Sequence, residues 1–492
     1  MCCAIGKSQM AYRNLNEFIS ELEQSGDLVR VAVEVDPELE ITEIANRVMK
    51  SEGGGKALLF EKVKGSKLPL LINALGSKER MCRALGVEDF SETAERIAEM
   101  VKPEAPATLM GKLKKLPELA QLAGYIPKVV KKGECQEIVY KAEEASLDML
   151  PILKCWPLDG GRFITFAGVY SKDVETGQRN VGMYRVQQLD KHSCAMHWQV
   201  HHDGAAHCRG YEKAGEKMPI AIVLGGDPAV SYAATAPLPP GVDEIMFAGF
   251  LRQKAVRMTP CISIDMEVPA ESDIVIEGCA DLRDLVEEGP FGDHTGYYSM
   301  PEMFPRFTVT AITMRKGAVY PATIVGIPPM EDYYMGLATE RIFLPFVRMF
   351  LPEVSDYHLP AYGVFHNFCF VSIKKEYPYH ARKVMHAIWG MGQLMFSKFI
   401  IVVDEGVDVH NTDEVLFRVG ANVDPRRDCC VVDGPVDALD HAAPFLCAGS
   451  KMGIDATRKL EGEGIKRQWP PEIIMPDEIK KMVDSRWPEY GI

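Results

Sequence analysis

The stretch Glu288-Gly-Pro-Phe-Gly-Asp-His-Thr-Gly-Tyr-Tyr298 constrains the fold more than any other. Gly289, Pro290 and Gly292 stand between two carboxylates, Glu288 and Asp293. Glycine and proline interrupt both helix and strand, so the backbone must turn here. A regular strand would send these acids to opposite faces, whereas a turn can bring both into one pocket. Neighbouring carboxylates repel, which raises the pKa of one and leaves it a proton to donate. The same spacing also suits a surface turn with two solvated acids, because Gly, Pro and Asp are ordinary turn residues. Phe291, Tyr297, Tyr298 and Met300 around the acids favour a partly buried loop.

At 492 residues the chain is too long for one simple core, and two or three domains are expected. Residues 10–125 alternate helical and strand patterns. Leu15, Phe18, Ile19 and Leu22 have helical spacing, a strand follows over 28–35, and Thr42 is placed to cap a helix over 43–49. Residues 126–323 are strand-rich, with single strands expected over 164–170, 181–187, 196–200 and 261–268 and a helix over 242–252. Pro, Gly and Asp separate them at short intervals, the rhythm of an antiparallel sheet or barrel. Residues 324–492 return to α/β, with helices over 339–350 and 381–395, the latter the longest helical pattern. The net charge of −14 excludes the basic footprint of a general nucleic-acid binder. Thirteen cysteines without a CxxC pair indicate reduced thiols and a cytoplasmic setting. No apolar run approaches the ~18 residues of a membrane span.

Three further groups carry chemistry. His192, His197, His201, His202 and His207 lie close together with Cys194 and Cys208, but match no standard zinc signature. On a strand over 196–202, His197 and His201 share a face, so one histidine in a mixed site is a better reading than a zinc cage. Arg185 stands among Met183, Tyr184 and Val186, two residues before Gln187. If buried, it needs an anion: Glu288, Asp293 or a substrate carboxylate. An ordinary structural salt bridge is the equal alternative. The third group is the small-residue loop from Ala233, with Thr235 and Pro237, leading to Glu244. Glu244 reads either as a metal ligand or as a favourable charge at a helix N-terminus. Gly53-Gly54-Gly55-Lys56 lacks the spacing of a phosphate loop, and neither GxGxxG nor GxSxG occurs.

Taken in order, these segments resemble the UbiD family of decarboxylases. The resemblance rests on Asn180-x4-Arg185, Met196-His-Trp-Gln-Val-His201, Asp243-Glu-Ile-Met-Phe-Ala-Gly249, Glu267-Val-Pro-Ala270, the long acid motif and Gly449-Ser-Lys-Met-Gly-Ile-Asp-Ala-Thr457. It runs from about Tyr12 to near the C-terminus and includes Leu22 to Arg30 and Pro37 to Ala45. It implies an N-terminal α/β domain (10–125), a central flavin-binding split β-barrel (126–323) and a C-terminal α/β domain (324–492) that builds a homo-oligomer, a dimer or hexamer. It implies prenylated FMN, supplied by a flavin prenyltransferase, with Mn²⁺ or Mg²⁺ and K⁺. The divalent ion falls to Asn180, His201 and Glu244, with His202 in place of His201 if the match shifts by one residue. Met183, Tyr184, Arg185, Gln187, Thr235, Pro237 and Lys451 complete the implied cofactor site.

The family's catalytic trio maps to Arg185, Glu288 and Asp293, with Asp in the last place as in the quinone-biosynthesis branch. Loss of CO₂ from an aromatic ring leaves a carbanion that no side chain can delocalise, hence a cofactor. By this resemblance Glu288, its pKa raised by burial and by Asp293, protonates the ring carbon. Arg185 orients the substrate carboxylate and holds Asp293 ionised. The implied substrate is 3-polyprenyl-4-hydroxybenzoate, with peripheral membrane contact if it is polyprenylated. A dihydroxynaphthoate of menaquinone synthesis and a simple hydroxybenzoate are alternatives, as is carboxylation at high CO₂. Residues 327–334 and Phe365 are expected to shape the pocket. A different class is a flavin- or metal-binding subunit without turnover, against which the intact trio argues.

Overall fold

The structure is a computed structural model that describes residues 11–101, 122–198, 203–239 and 241–492. Its first helix, Leu15–Gln24, starts where the Asn14 side chain accepts the Glu17 amide, and buries Leu15, Phe18, Ile19 and Leu22. Gly26 at φ 75° then reverses the chain into the strand Leu28–Val35. The next helix begins at Glu40 rather than 43, so Thr42 is buried inside Glu40–Met49 and does not cap it. The N-terminal sheet has the order Leu28–Val35, Ala57–Val63, Leu70–Ile72, Tyr320–Ala322. Its last strand is thus supplied by the end of the central segment.

A nine-stranded sheet forms the centre. Its hydrogen-bonded order is Arg162–Ile164, Val186–Gln188, Ser193–Met196, Glu302–Met314, Ile274–Glu288, Met218–Leu224, Gly168–Lys172, Arg179–Met183, with Ile138–Lys141 also on Glu302–Met314. Two single strands expected from sequence are each divided. The 164–170 run separates into Arg162–Ile164 and Gly168–Lys172, and the 181–187 run into Arg179–Met183 and Val186–Gln188. Only Tyr184 and Arg185 join the last strand of the order to its second. Three Cα steps span at most about 10 Å. The sheet therefore curls until its ends nearly meet, a split barrel with Arg185 at the seam.

Two other expectations are corrected. The 261–268 segment is the turn and return of a hairpin, Arg257–Pro260 against Glu267–Pro269. The Glu277 carboxylate holds that turn by accepting the Ile262 amide at 2.9 Å and the Ser263 amide at 2.6 Å. The strand expected over 196–200 ends at Met196, and Asp203–Ala214 is a helix.

Beyond the barrel, the helix Glu331–Phe350 is the longest among the described residues and starts well before 339. Its first residue is buried and accepts the Leu75 amide at 2.6 Å and the Thr323 hydroxyl at 2.7 Å, which ties the helix to the N-terminal unit. The C-terminal sheet runs Val354–His358, Phe368–Ile373, Phe399–Asp404, Ala448–Asp455, Cys429–Pro435. The 381–395 pattern is only partly helical. His380–Ile388 stops before Gly390, and Gly392 at φ 46° opens a tighter turn, Gly392–Phe396.

Candidate active site

Glu288 is the last residue of the long strand Ile274–Glu288 and is fully buried. Gly289 follows at φ 95°, which a side chain would strain, and donates its amide to Gln187 Oε1 at 2.7 Å. The chain returns as Phe291–Gly292, paired with Tyr298–Ser299. Gly292 allows a close approach: a Cβ there would lie 2.2 Å from Trp156 Cδ1. Buried Asp159 anchors the turn. Its Oδ1 accepts the Gly292 amide at 2.8 Å, and its Oδ2 accepts the amides of Cys155 at 3.0 Å and Trp156 at 2.8 Å. Asp159→Ala leaves two buried N–H groups and the half-buried Trp156 amide unpaired and should cost about 2–6 kcal/mol, at about 1–3 kcal/mol for each buried donor left unsatisfied. Urea unfolding checks this; an unchanged midpoint would contradict the anchoring role.

The turn delivers both acids to Arg185. Its guanidinium grips Glu288 with two hydrogen bonds, Nε to Oε1 at 2.8 Å and Nη2 to Oε2 at 3.0 Å. Nη1 donates to Asp293 Oδ2, and Nη2 also donates to Ser299 Oγ at 2.8 Å. The Phe291 ring supports the guanidinium at 4.8 Å and packs on Phe163 at 4.6 Å. His197 Nδ1 lies 3.1 Å from Glu288 Oε2, and its ring sits 4.4 Å from Phe304.

These contacts overturn one electrostatic expectation. Burial pushes the Glu288 carboxyl upward, but His197 and Arg185 together outweigh it, and its pKa is lowered. The two acids do not face one another bare, because Arg185 neutralises both. Asp293 is also buried. His294 first, then Arg185, hold it well below the usual carboxylate range. The His294 amide and Nδ1 lie 2.8 and 2.9 Å from Asp293 Oδ1. His294 Nε2 is 3.2 Å from His366 Nε2. Burial lowers both imidazoles, but Asp293 raises His294 overall, while His366 is pushed down to about 4. Of the two imidazoles, His294 is thus the better holder of a proton. His366 comes from the C-terminal segment, so that segment touches the acid loop directly.

The other sequence candidates fall into separate groups. Asn180 lies on the outermost strand of the barrel order, opposite Ser171. It is buried, and its Nδ2 has no hydrogen-bond partner among the described residues. Glu244 begins the helix Glu244–Leu251 and accepts the Val181 amide at 3.1 Å, next to Asn180. Asp243 caps that helix and pairs with Arg179 at 2.7 Å. Met183 donates its amide to Ala234 O at 3.0 Å, and Thr235 Oγ donates to Tyr232 O at 2.8 Å. Tyr184 is buried and Pro237 half-buried. His201 and His202 lie outside the described residues. His192 contacts the Ala145 carbonyl at 3.2 Å and His207 the Ser171 hydroxyl at 2.9 Å, so neither joins the acid cluster. Lys451 is buried in the C-terminal sheet and donates to the Met395 carbonyl, with no hydrogen bond or ion pair to the Arg185 cluster.

Sequence reasoning missed His197 as a Glu288 contact, Ser299 and Asp159 as supports, and His294 and His366 as the pair behind Asp293. The placement of His197 just past the apolar strand Ser193–Met196 was the one available signal.

The arrangement is a buried carboxylate held between a cation and an imidazole, able to take and release a proton once either partner shifts. Apart from it, Asn180, whose Nδ2 is unpaired among the described residues, and Glu244 bring an amide oxygen and a carboxylate to neighbouring positions, donors suited to a hard divalent cation.

The profiles of the N-terminal, Rift-related and C-terminal domains of 3-octaprenyl-4-hydroxybenzoate carboxy-lyase, the UbiD domains, match residues 19–108, 128–328 and 333–456. An uncharacterized protein of Aquifex aeolicus is 51% identical over 482 residues, 98% of this chain and 99% of its own. The vanillic acid decarboxylase of Sedimentibacter hydroxybenzoicus in closed form superposes with TM-score 0.84 at 27% identity, over 96% of this chain and 98% of that one. An evolved dimeric form of the UbiD-class enzyme HmfF from Pelotomaculum thermopropionicum, in complex with prFMN, gives 0.76 at 28% identity, over 95% and 100%. Among the described residues no helix is long and apolar enough to cross a membrane.

Proposed function

The chain belongs to the UbiD family of carboxy-lyases, and from that premise we propose that it decarboxylates a hydroxylated aromatic acid with prenylated FMN. The observation that carries the reading is the buried Arg185 joined to both Glu288 and Asp293. Asn180, Glu244 and His201 would hold Mn²⁺ or Mg²⁺ and through it the flavin phosphate. The bound cofactor would supply the electron sink that no side chain offers.

This chain's residues do the rest. The substrate carboxylate competes for Arg185, whose planar fork suits it. Drawn onto the substrate, Arg185 relaxes its grip on Glu288. Burial then weighs more heavily on the carboxylate, and Glu288 can hold a proton. The bond between ring carbon and carboxylate breaks, CO₂ leaves, and Glu288 protonates that carbon. His197 is placed to restore the proton. Asp293 stays ionised against His294 and keeps Arg185 positioned.

The substrate we favour is 3-polyprenyl-4-hydroxybenzoate or a related quinone precursor, in line with the name of the matching profiles. An unprenylated hydroxybenzoate is the second reading, favoured by the likeness to a vanillic acid decarboxylase. The test is co-expression with a flavin prenyltransferase and manganese under anaerobic handling. Mass spectrometry then identifies the flavin, and CO₂ release is followed with prenylated and plain hydroxybenzoates and a dihydroxynaphthoate. Prenylated FMN with CO₂ from one of them is expected. No retained flavin, or a loaded protein releasing CO₂ from none, would overturn the proposal.

A further inference from the structure

Glu340, His358 and His410 come from three elements and meet at the edge of the C-terminal sheet. Glu340 lies mid-way along the helix Glu331–Phe350, His358 ends the edge strand Val354–His358, and His410 lies just before the helix Thr412–Asn422. The first two side chains are buried, and His410 is 34% exposed. One ligand atom from each lies within 4.8 Å of the others, and no other such trio of His, Cys, Asp or Glu occurs among the described residues. None of the three belongs to the Arg185 cluster or to the Asn180–Glu244 pair.

We propose that this trio is a second metal site, binding a zinc-like divalent cation in the C-terminal domain. His358 Nδ1 is 2.9 Å from Glu340 Oε1, and His410 Nδ1 is 3.8 Å from the same oxygen. Bonds of about 2.0–2.1 Å in a tetrahedron place ligand atoms roughly 3.3 Å apart, so small shifts suffice. Two imidazoles and a carboxylate are a common zinc donor set. The surroundings are those of a built site. His410 Nε2 lies 3.2 Å from Asp356 Oδ2, so a proton on Nε2 would leave the Nδ1 lone pair free for a metal, with Nδ1 3.8 Å from Glu340 Oε1. Glu340 Oε2 accepts the Leu359 amide at 2.7 Å, which fixes the carboxylate. Arg341, 3.6 Å from Glu340 at its Nε, is engaged by Asp356 at 2.5 Å and by the Tyr357 carbonyl. The exposed side of His410 gives the ion a route in and leaves a fourth position for water. The bound ion would pin the helix Glu331–Phe350 to the edge strand and to the 405–411 loop.

The rival is a metal-free cluster in which a protonated His410 bridges Glu340 and Asp356. Zinc content of the full-length protein, after equilibration with Zn²⁺ and removal of free ion, separates the two. Glu244→Gln serves as background to remove the proposed cofactor metal. The site predicts zinc bound in that background, its loss in the added His410→Ala variant, and about 10- to 100-fold weaker binding with Asp356→Asn. Zinc should also raise Tm in the Glu244→Gln protein but not in the His410→Ala double variant. Because His410 is partly exposed, its removal should leave the fold intact, which far-UV circular dichroism verifies. Equal zinc content with and without His410, or none in the Glu244→Gln background, would overturn the proposal.

Discussion

Glu288→Gln is expected to lower CO₂ release by about 10²- to 10⁴-fold, the usual loss when a general acid is removed. The substitution keeps shape and polarity but removes the acidic proton. The flavin should remain, because Glu288 stands apart from the Asn180–Glu244 pair: its partners are Arg185 and His197. Flavin absorbance and initial rates, measured on the same sample, check both halves. A variant that keeps its flavin and turns over normally would remove Glu288 from the chemistry. One that loses flavin would instead assign it to binding.

Arg185→Met should destabilise the protein by about 3–5 kcal/mol near neutral pH. Glu288 is fully buried and Asp293 nearly so, and the variant leaves both without their shared cation. His197 and His294 remain, which keeps the loss from being larger. Arg185→Lys should recover only part of it, because an ammonium cannot make the two-pronged contact with Glu288. The pH dependence gives a second check. In the wild-type protein both acids are held below their ordinary values. Their contribution is therefore present above the unfolded pKa of about 4 and lost as pH falls through the folded values. The variant lacks the guanidinium that favours the ionised form of both acids, so its deficit should be largest near pH 7 and shrink toward about pH 4. Urea midpoints across this range test it. A deficit constant with pH would mean that Arg185 stabilises by packing alone.

What could be read from the sequence was local. Glycine and proline between two acids announced the turn, and an arginine among apolar residues announced a buried anion partner. The structure joins the two. The barrel seam was not legible. Val181 to Gln187 has the composition of one uninterrupted strand, and only the pairing partners show that the chain changes sides at Tyr184 and Arg185. The sign of the Glu288 shift was missed for a related reason. Spacing indicates that two carboxylates meet, but not that a guanidinium lies against both. His197 was hidden among five histidines with no periodicity to select it. His366 stands against His294 only because the C-terminal segment packs on the acid loop. The end of the helix His380–Ile388 did have a signal in Gly390 and Gly392, which the apolar periodicity obscured.

The most direct test of the account is hydrogen exchange on the decarboxylated product. The loaded protein is incubated in D₂O with the product of whichever acid it accepts, and deuterium is followed at the ring carbon that bore the carboxylate. The wild-type protein should exchange that one position, because a group able to protonate the carbon can also remove its proton. Glu288→Gln, carrying the same flavin, should not. Undiminished exchange in the variant would contradict the claim that the Arg185–Glu288–Asp293 cluster performs the proton transfer.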